Sequence, residues 1–430
     1  MKFLNYSSIN FQQLLDDHLK IRKEETNSKI EVVVKSIIDD IKRFGDDKIV
    51  EFAKNIDKIS LSENEIKIPD LKNFYSLDTL KKETVASFKK AINNVKSFHE
   101  KQLPNDYNVI IENAKLKSIW KPLDSVGIYI PGGKSAYPSS LIMSLVPAKL
   151  AGVQRIVCVI PPTNHLNPYL AFLLDELGIE EVYQVGGAQA IAALTFGTKT
   201  IKSVNKIFGP GNAYVAEAKR QVFGIVGIDL IAGPSEIIVV ADESNNPEWV
   251  ACDLMAQAEH DENAQSILIT NSKFFADEVL NKIQNLLKIV NRREIINASL
   301  NKNGLIILME DLSLSYKIIN YLAPEHLHLQ SKEKEGILNK INNAGGIFLG
   351  EYSTEAFGDY VVGTNHVLPT SGAAKFSSGL GVLDFMKKTS LVEMDKSSFD
   401  KLNKDVENIA DVEELEAHKL SVRIRQTKKN

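Results

Sequence analysis

VGIYIPGG (residues 126–133) is a short apolar run that stops at a glycine turn, and RIVCVIPP (155–162) repeats the form. A strand that is apolar on successive residues is buried on both faces, as strands of a parallel sheet are. EVYQVGG (181–187) and KIFGPGN (206–212) continue in the same style. The stretches around them, SSLIMSLVPAKLAG (139–152), NPYLAFLLDELG (167–178) and AYVAEAKRQV (213–222), carry helical patterns. Strand and helix in alternation predict an α/β unit with a parallel sheet.

The pattern then starts again. EIIVVAD (236–242), QSILIT (265–270), NGLIILM (303–309) and GGIFLG (345–350) read as strands. PEWVACDLMAQAEH (247–260), SKFFADEVLNKIQNLLKIV (272–290) and LSLSYKIINYL (312–322) read as helices. Two α/β units are therefore expected, joined near residues 232–236. The first hundred residues read as amphipathic helices, with a break at Gly45 and a stop at Pro104. The tail after Ser390 reads as helices with no strand of its own. It is too poor in apolar surface to form a core, which points to packing on a second subunit. The expected organisation is a mainly helical region 1–125, α/β units 126–235 and 236–389, and a helical tail 390–430.

A chain of 430 residues is long enough for two or more domains. Its formal net charge of −4 argues against nucleic acid as the main partner. No run of 18 apolar residues predicts a membrane span, and the N-terminus lacks the charged and apolar regions of a secretory signal. The two cysteines, Cys158 and Cys252, both read as core residues and suit a reducing cytoplasm. The basic end RIRQTKKN (423–430) reads as a frayed terminus.

The chemistry concentrates in a few segments. APEHLHLQ (323–330) sets Glu325 beside His326, with His328 two residues on. Folding does not require that pair, whereas proton transfer uses such groups. MAQAEHDENAQS (255–266) carries Gln257 and His260, three apart and so on one helix face. FGDYVVGTNHVLPTSG (357–372) adds Asp359 and His366, and EELEAHKLSVRIR (413–425) adds Glu413 and His418. Nitrogen and oxygen donors without a thiolate suit a catalytic zinc site, although spacing alone does not show that these residues meet. The glycine turns of GPGN and VGGAQ open helices and form potential anion sites. Ser235, in AGPSE (232–236), reads first as a turn serine. His18, His99 and His165 lie among polar residues and carry no functional expectation.

Taken in order from residue 126 to 425, these segments resemble the histidinol dehydrogenase family. The resemblance implies two incomplete Rossmann-like parallel-sheet domains with helical N-terminal and C-terminal extensions. It also implies NAD-dependent oxidation of L-histidinol to L-histidine with one zinc ion per site, in a homodimer with shared active sites. Carried over by position, Gln257, His260 and Asp359 match zinc ligands, and His418 matches a fourth supplied by the partner chain. Glu325 and His326 match the acid–base pair. Ser235, His366 and Glu413 match substrate contacts, with Gln257, His260, His326, Asp359 and His418 also near substrate. Tyr129, Gln189 and Asn212 match NAD contacts. Competing readings are a zinc dehydrogenase for another polar alcohol, a zinc hydrolase using Glu325 on water, and a non-catalytic binding protein.

Overall fold

A computed structural model describes residues 1–23, 28–132 and 137–426. The glycine turn after residue 132 and the last four residues of the basic end lie outside the described residues.

Both expected parallel sheets form. The first runs, in spatial order, Glu181–Gln184, Arg155–Ile160, Ser125–Tyr129, Lys206–Phe208, Gly227–Ile228, with every pairing parallel. Its strands are buried on both faces because helices cover both sides. Pro138–Leu150 and Pro168–Glu176 pack on one side. Gly187–Phe196 and Ala213–Val222 pack on the other, together with the N-terminal helix Ser28–Phe44. The chain adds strands outward from Ser125–Tyr129 in one direction, then returns to add Lys206–Phe208 on the other flank. That reversal opens a crevice beside the carboxyl ends of these two strands.

The second sheet runs Lys2–Asn5, Leu305–Leu308, Gln265–Thr270, Glu236–Val240, His326–Leu329, Gly346–Leu349, again all parallel. Its reversal lies between Glu236–Val240 and His326–Leu329.

Three expectations about the extensions need correction. The N-terminal region is not only helical, because Lys2–Asn5 forms an edge strand of the second sheet. Four residues are too few to show a period, so the sequence carried no strand signal there. Residues 107–122 form a hairpin, Tyr107–Ile111 against Ala114–Pro122. It turns at Glu112 and Asn113, both with positive φ (47° and 68°), the twist a tight hairpin needs. The tail also has a strand: Met386–Glu393 pairs antiparallel with Ala114–Pro122, so position 390 falls inside an element. Cys158 is buried as expected, but Cys252 is exposed on its helix. His18 and His99, which lie among polar residues in the sequence, are buried. His99 bonds the Val95 carbonyl at 2.9 Å through Nδ1.

The C-terminal helices Lys396–Val412 and Glu416–Gln426 pack on each other. They touch the hairpin through Asn113 to Ser397 at 2.8 Å and Lys401 to Glu112 at 3.2 Å. Their apolar side chains Ile409, Val412, Leu420 and Ile424 remain exposed. No helix among the described residues is long and apolar enough to cross a membrane.

Candidate active site

Glu325 and His326 sit where the chain enters the second sheet. The helix Ser315–Leu322 ends at Ala323, held in the left-handed region at φ 50° ahead of Pro324. A non-glycine residue there stores strain that the surrounding packing must hold. The following backbone is locked by Gly345 N–H to Pro324 O (2.9 Å) and Gly346 N–H to Glu325 O (2.8 Å). A Cβ on Gly345 would stand 2.6 Å from Glu325 O, so only glycine allows this approach.

Both side chains of the pair are buried. Glu325 Oε2 accepts the Glu236 N–H at 2.9 Å, and Ser235 donates its hydroxyl to the same carboxyl. Burial nevertheless pushes Glu325 well above the usual carboxylate range. His326 Nδ1 lies 3.1 Å from Glu236 O and 3.7 Å from Glu325 Oε2, so these adjacent side chains do not point fully apart. Its Nε2 is buried and makes no hydrogen bond among the described residues; Asp359 Oδ1 is 3.9 Å away. An orphaned buried N–H is costlier than a spare lone pair, so the hydrogen belongs on Nδ1, donating to Glu236 O. Nε2 then carries a free lone pair. Burial lowers the His326 pKa to about 3, which keeps the ring neutral at pH 7.

Gln257 is fully buried near the end of helix Pro247–Ala258. Satisfying the neighbouring oxygens turns its side-chain nitrogen toward Glu236 O (3.0 Å) and Glu355 Oε1 (3.1 Å), with His326 Nδ1 3.0 Å away. Its two hydrogens go to the two oxygens. His260 follows in the turn, its N–H on Gln257 O at 3.3 Å, and the residue is exposed in the single chain. The short helix Glu355–Tyr360 presents Glu355 and Asp359 one turn apart. One ligand atom each from His260, Glu355 and Asp359 fall within 4.8 Å of one another. Burial raises the Asp359 carboxyl to about 6, with His260 opposing the shift, and raises Glu355 well above its usual value.

Burial lowers the His366 pKa below its ordinary value. Its Nδ1 faces Asp359 O at 2.8 Å and its Nε2 faces Ser140 Oγ at 3.1 Å. It thereby ties the Asp359 helix to helix Pro138–Leu150 beside the first sheet. A cavity of about 610 Å³ is walled by His326, Asp359, His366, Phe348, Phe357 and His99. Of the acid–base pair His326 lines it, at the amino end of strand His326–Leu329, and the edge strand Gly346–Leu349 lines it along its whole length.

The cofactor candidates do gather at the carboxyl ends of the first sheet. Tyr129 ends the central strand, and its hydroxyl accepts the Gly187 N–H at 3.2 Å. Gln189 lies in the first turn of helix Gly187–Phe196, and Asn212 caps helix Ala213–Val222 through Tyr214 N–H (3.1 Å) and Val215 N–H (3.2 Å). Gly209 has φ 107°, and a Cβ there would fall 2.1 Å from Tyr129 O. The glycine is what lets the turn lie against Tyr129. Lys219 and Asp229 clamp the same turn: Lys219 Nζ donates to Gly209 O and Asp229 Oδ1, both at 2.6 Å, and Asp229 Oδ2 accepts the Gly209 N–H at 2.8 Å.

The structure thus brings together Ser235, Gln257, His260, Glu325, His326, Asp359 and His366, and separately Tyr129, Gln189 and Asn212. Glu413, in the turn between the two C-terminal helices, and His418, on the second, are exposed and are not part of the cluster. Sequence reasoning missed Glu355 and Glu236. Glu355 had one available signal, its i, i+4 spacing to Asp359. His328 has a structural place: Nε2 on Gly350 O at 2.9 Å and Nδ1 near Asp253 at 3.2 Å, both away from the cavity.

The donor set is imidazole, carboxylate and amide oxygen around a buried nitrogen without a partner. It fits zinc better than a hard oxygen-only cation.

Comparison with known proteins gives the family. The sequence model of the family described as histidinol dehydrogenase matches residues 20–426. Histidinol dehydrogenase of Brucella suis is 45% identical over 406 residues, 94% of each chain. That of Clostridium acetobutylicum is 45% identical over 410 residues, 95% of each. The crystal structure of histidinol dehydrogenase from Elizabethkingia anophelis superposes with a TM-score of 0.92 at 34% identity, covering 99% of this chain and 98% of that one. With its two parallel sheets, its buried Glu–His pair and relatives matched over nearly their whole length, the chain belongs to the histidinol dehydrogenase family of oxidoreductases.

Proposed function

We propose that this protein oxidises L-histidinol to L-histidine through bound L-histidinal, using NAD and one zinc ion, at the last step of histidine synthesis. The observation that carries the reading is His326 Nε2, a buried lone pair on the cavity wall beside Asp359. Going from alcohol to acid needs two hydride removals, each with loss of a proton, and one addition of water between them. His326 accepts the proton in both oxidations. The imidazolium it becomes is flanked by Glu325 (3.7 Å), Glu355 (3.7 Å) and Asp359 (3.9 Å), which stabilise the new charge. Glu325, held by Glu236 N–H and Ser235, activates the water that adds to the aldehyde. Burial raises its pKa, which makes Glu325 a stronger base than an exposed carboxylate.

Gln257, His260 and Asp359 would hold zinc, which supplies fixed orientation of the substrate's imidazole and amine. Tyr129, Gln189 and Asn212 would hold NAD, which accepts the hydride. His366 contacts the substrate from the Ser140 side. His418 and Glu413 reach the site of a second copy of the chain, the fourth zinc ligand and a further substrate contact, which also covers the apolar face of the tail. The free thiols and the absence of a long apolar helix among the described residues agree with work in the cytoplasm.

The test is stoichiometry. Purified protein with zinc, NAD and histidinol should form two NADH per histidinol consumed, with little free aldehyde. One NADH with accumulating aldehyde overturns the two-step reading, and no NADH overturns the dehydrogenase assignment.

A further inference from the structure

Glu355 flanks His326 at 3.7 Å, yet its contact with Gln257 is explained neither by the acid–base pair nor by the zinc ligand set. It is 2% exposed, yet it is an acid placed among Asp359, Glu325 and Asp253. Such a group is retained at a cost unless it holds something. Its Oε1 lies 3.1 Å from the Gln257 side-chain nitrogen and 3.7 Å from His326 Nδ1. Asp359, one turn later on the same helix, lines the cavity; Glu355 does not.

A carboxamide has a single end that a cation accepts. Its oxygen donates lone pairs, whereas its nitrogen presents two hydrogens of like charge. The torsion that exchanges the two ends is nearly two-fold, so sterics alone do not choose between them. Here the nitrogen is held by two oxygens, Glu236 O at 3.0 Å and Glu355 Oε1 at 3.1 Å. Holding the nitrogen on that side turns the amide oxygen away from it. Glu236 O is backbone, so Glu355 is the side chain on which the choice depends. We propose that Glu355 is a positioning residue that locks Gln257 with its oxygen toward the zinc ion and does not itself ligate it. The inference rests on the zinc reading above. Groups behind metal ligands act this way generally, fixing which atom of the ligand faces the ion.

The experiment measures metal binding by the intact dimer without turnover. Zinc affinity is read by competition with a coloured chelator, and the ligand field by visible absorption of the cobalt-loaded protein. The variants are Glu355→Met, Glu355→Gln, Gln257→Met and the Glu355→Met/Gln257→Met double. Glu355→Met should weaken zinc by about 10–100-fold and alter the cobalt bands. Glu355→Gln should stay near wild type, because its amide oxygen still accepts from Gln257. Gln257→Met should weaken zinc, and the double variant should be no weaker than the worse single, since both act through one ligand. Should Glu355→Met fail to fold, Glu355→Ala, which leaves room for water, carries the same expectation. Wild-type affinity in Glu355→Met overturns the proposal. So does an equal loss in Glu355→Gln, which would make the charge or direct ligation the cause, and so does additivity in the double variant. A wild-type protein that binds no zinc sinks the zinc reading and this inference with it.

Discussion

Lys219 and Asp229 offer the sharpest link between the packing of the first sheet and its proposed cofactor site. Their side chains are 2% and 3% exposed, and together they hold both backbone groups of Gly209. Lys219→Met keeps the length and apolar stem of the side chain but removes two charged hydrogen bonds of 2.6 Å. It also strands the Asp229 carboxylate in a dry site. Charged hydrogen bonds contribute about 1.5–3 kcal/mol each. Breaking one half of a buried pair costs about 3–5 kcal/mol, because the survivor stays unpaired. The expected loss is thus about 3–5 kcal/mol, read as a lower urea midpoint at unchanged slope. Replacing both, as Lys219→Met/Asp229→Leu, removes the stranded charge and should recover most of that loss. The Gly209 turn is then no longer clamped against Tyr129. Both variants should therefore lose kcat/KM for NAD, by up to about 100-fold for a displacement near 1 Å, with the KM for histidinol little changed. A single variant as stable as wild type, or a double variant as unstable as the single, would refute the burial argument. Unchanged kcat/KM for NAD would refute the role of the turn.

Three further outcomes follow from the site. His326→Asn should slow histidinol and histidinal oxidation alike, while Glu325→Gln should slow mainly the histidinal half, each by about 10²–10⁴-fold; histidinal oxidation at wild-type rate in Glu325→Gln removes the role given to that residue. Mixing inactive His418→Ala protein with inactive His260→Ala protein should restore activity as subunits exchange, since one site of each mixed dimer escapes both changes; no recovery after proven exchange means that each chain builds its site alone. Of the two thiols, Cys252 should react with a thiol reagent in the native protein, whereas Cys158, buried and pushed well above its usual pKa by that burial, should react only after unfolding.

The two parallel sheets were legible because their strands are buried on both faces and so read as unbroken apolar runs, as in RIVCVI and EIIVV. The glycine turn at 209–212 was legible for a similar reason, since a local backbone demand leaves a local residue. The hairpin 107–122 gave a weaker signal: its first strand, Tyr107–Ile111, is exposed along its length and shows no buried face to set a period. Lys2–Asn5 became a strand only because the Leu305–Leu308 edge was there to pair with it.

In the site, sequence determined the chemical types of the ligand and acid–base groups, and resemblance placed them by position. Tertiary structure decided which of them meet, because contacts between Gln257, His326 and Glu355 depend on how one helix, one strand entry and one short helix pack. It set the proton on His326 through a carbonyl 90 residues away in the chain, Glu236 O. It also set the amino end of strand His326–Leu329 and the full length of Gly346–Leu349 against the cavity. Burial then moved the Glu325, His326 and Asp359 pKa values, a quantity that depends on what surrounds a side chain and therefore leaves no trace in its neighbours along the sequence.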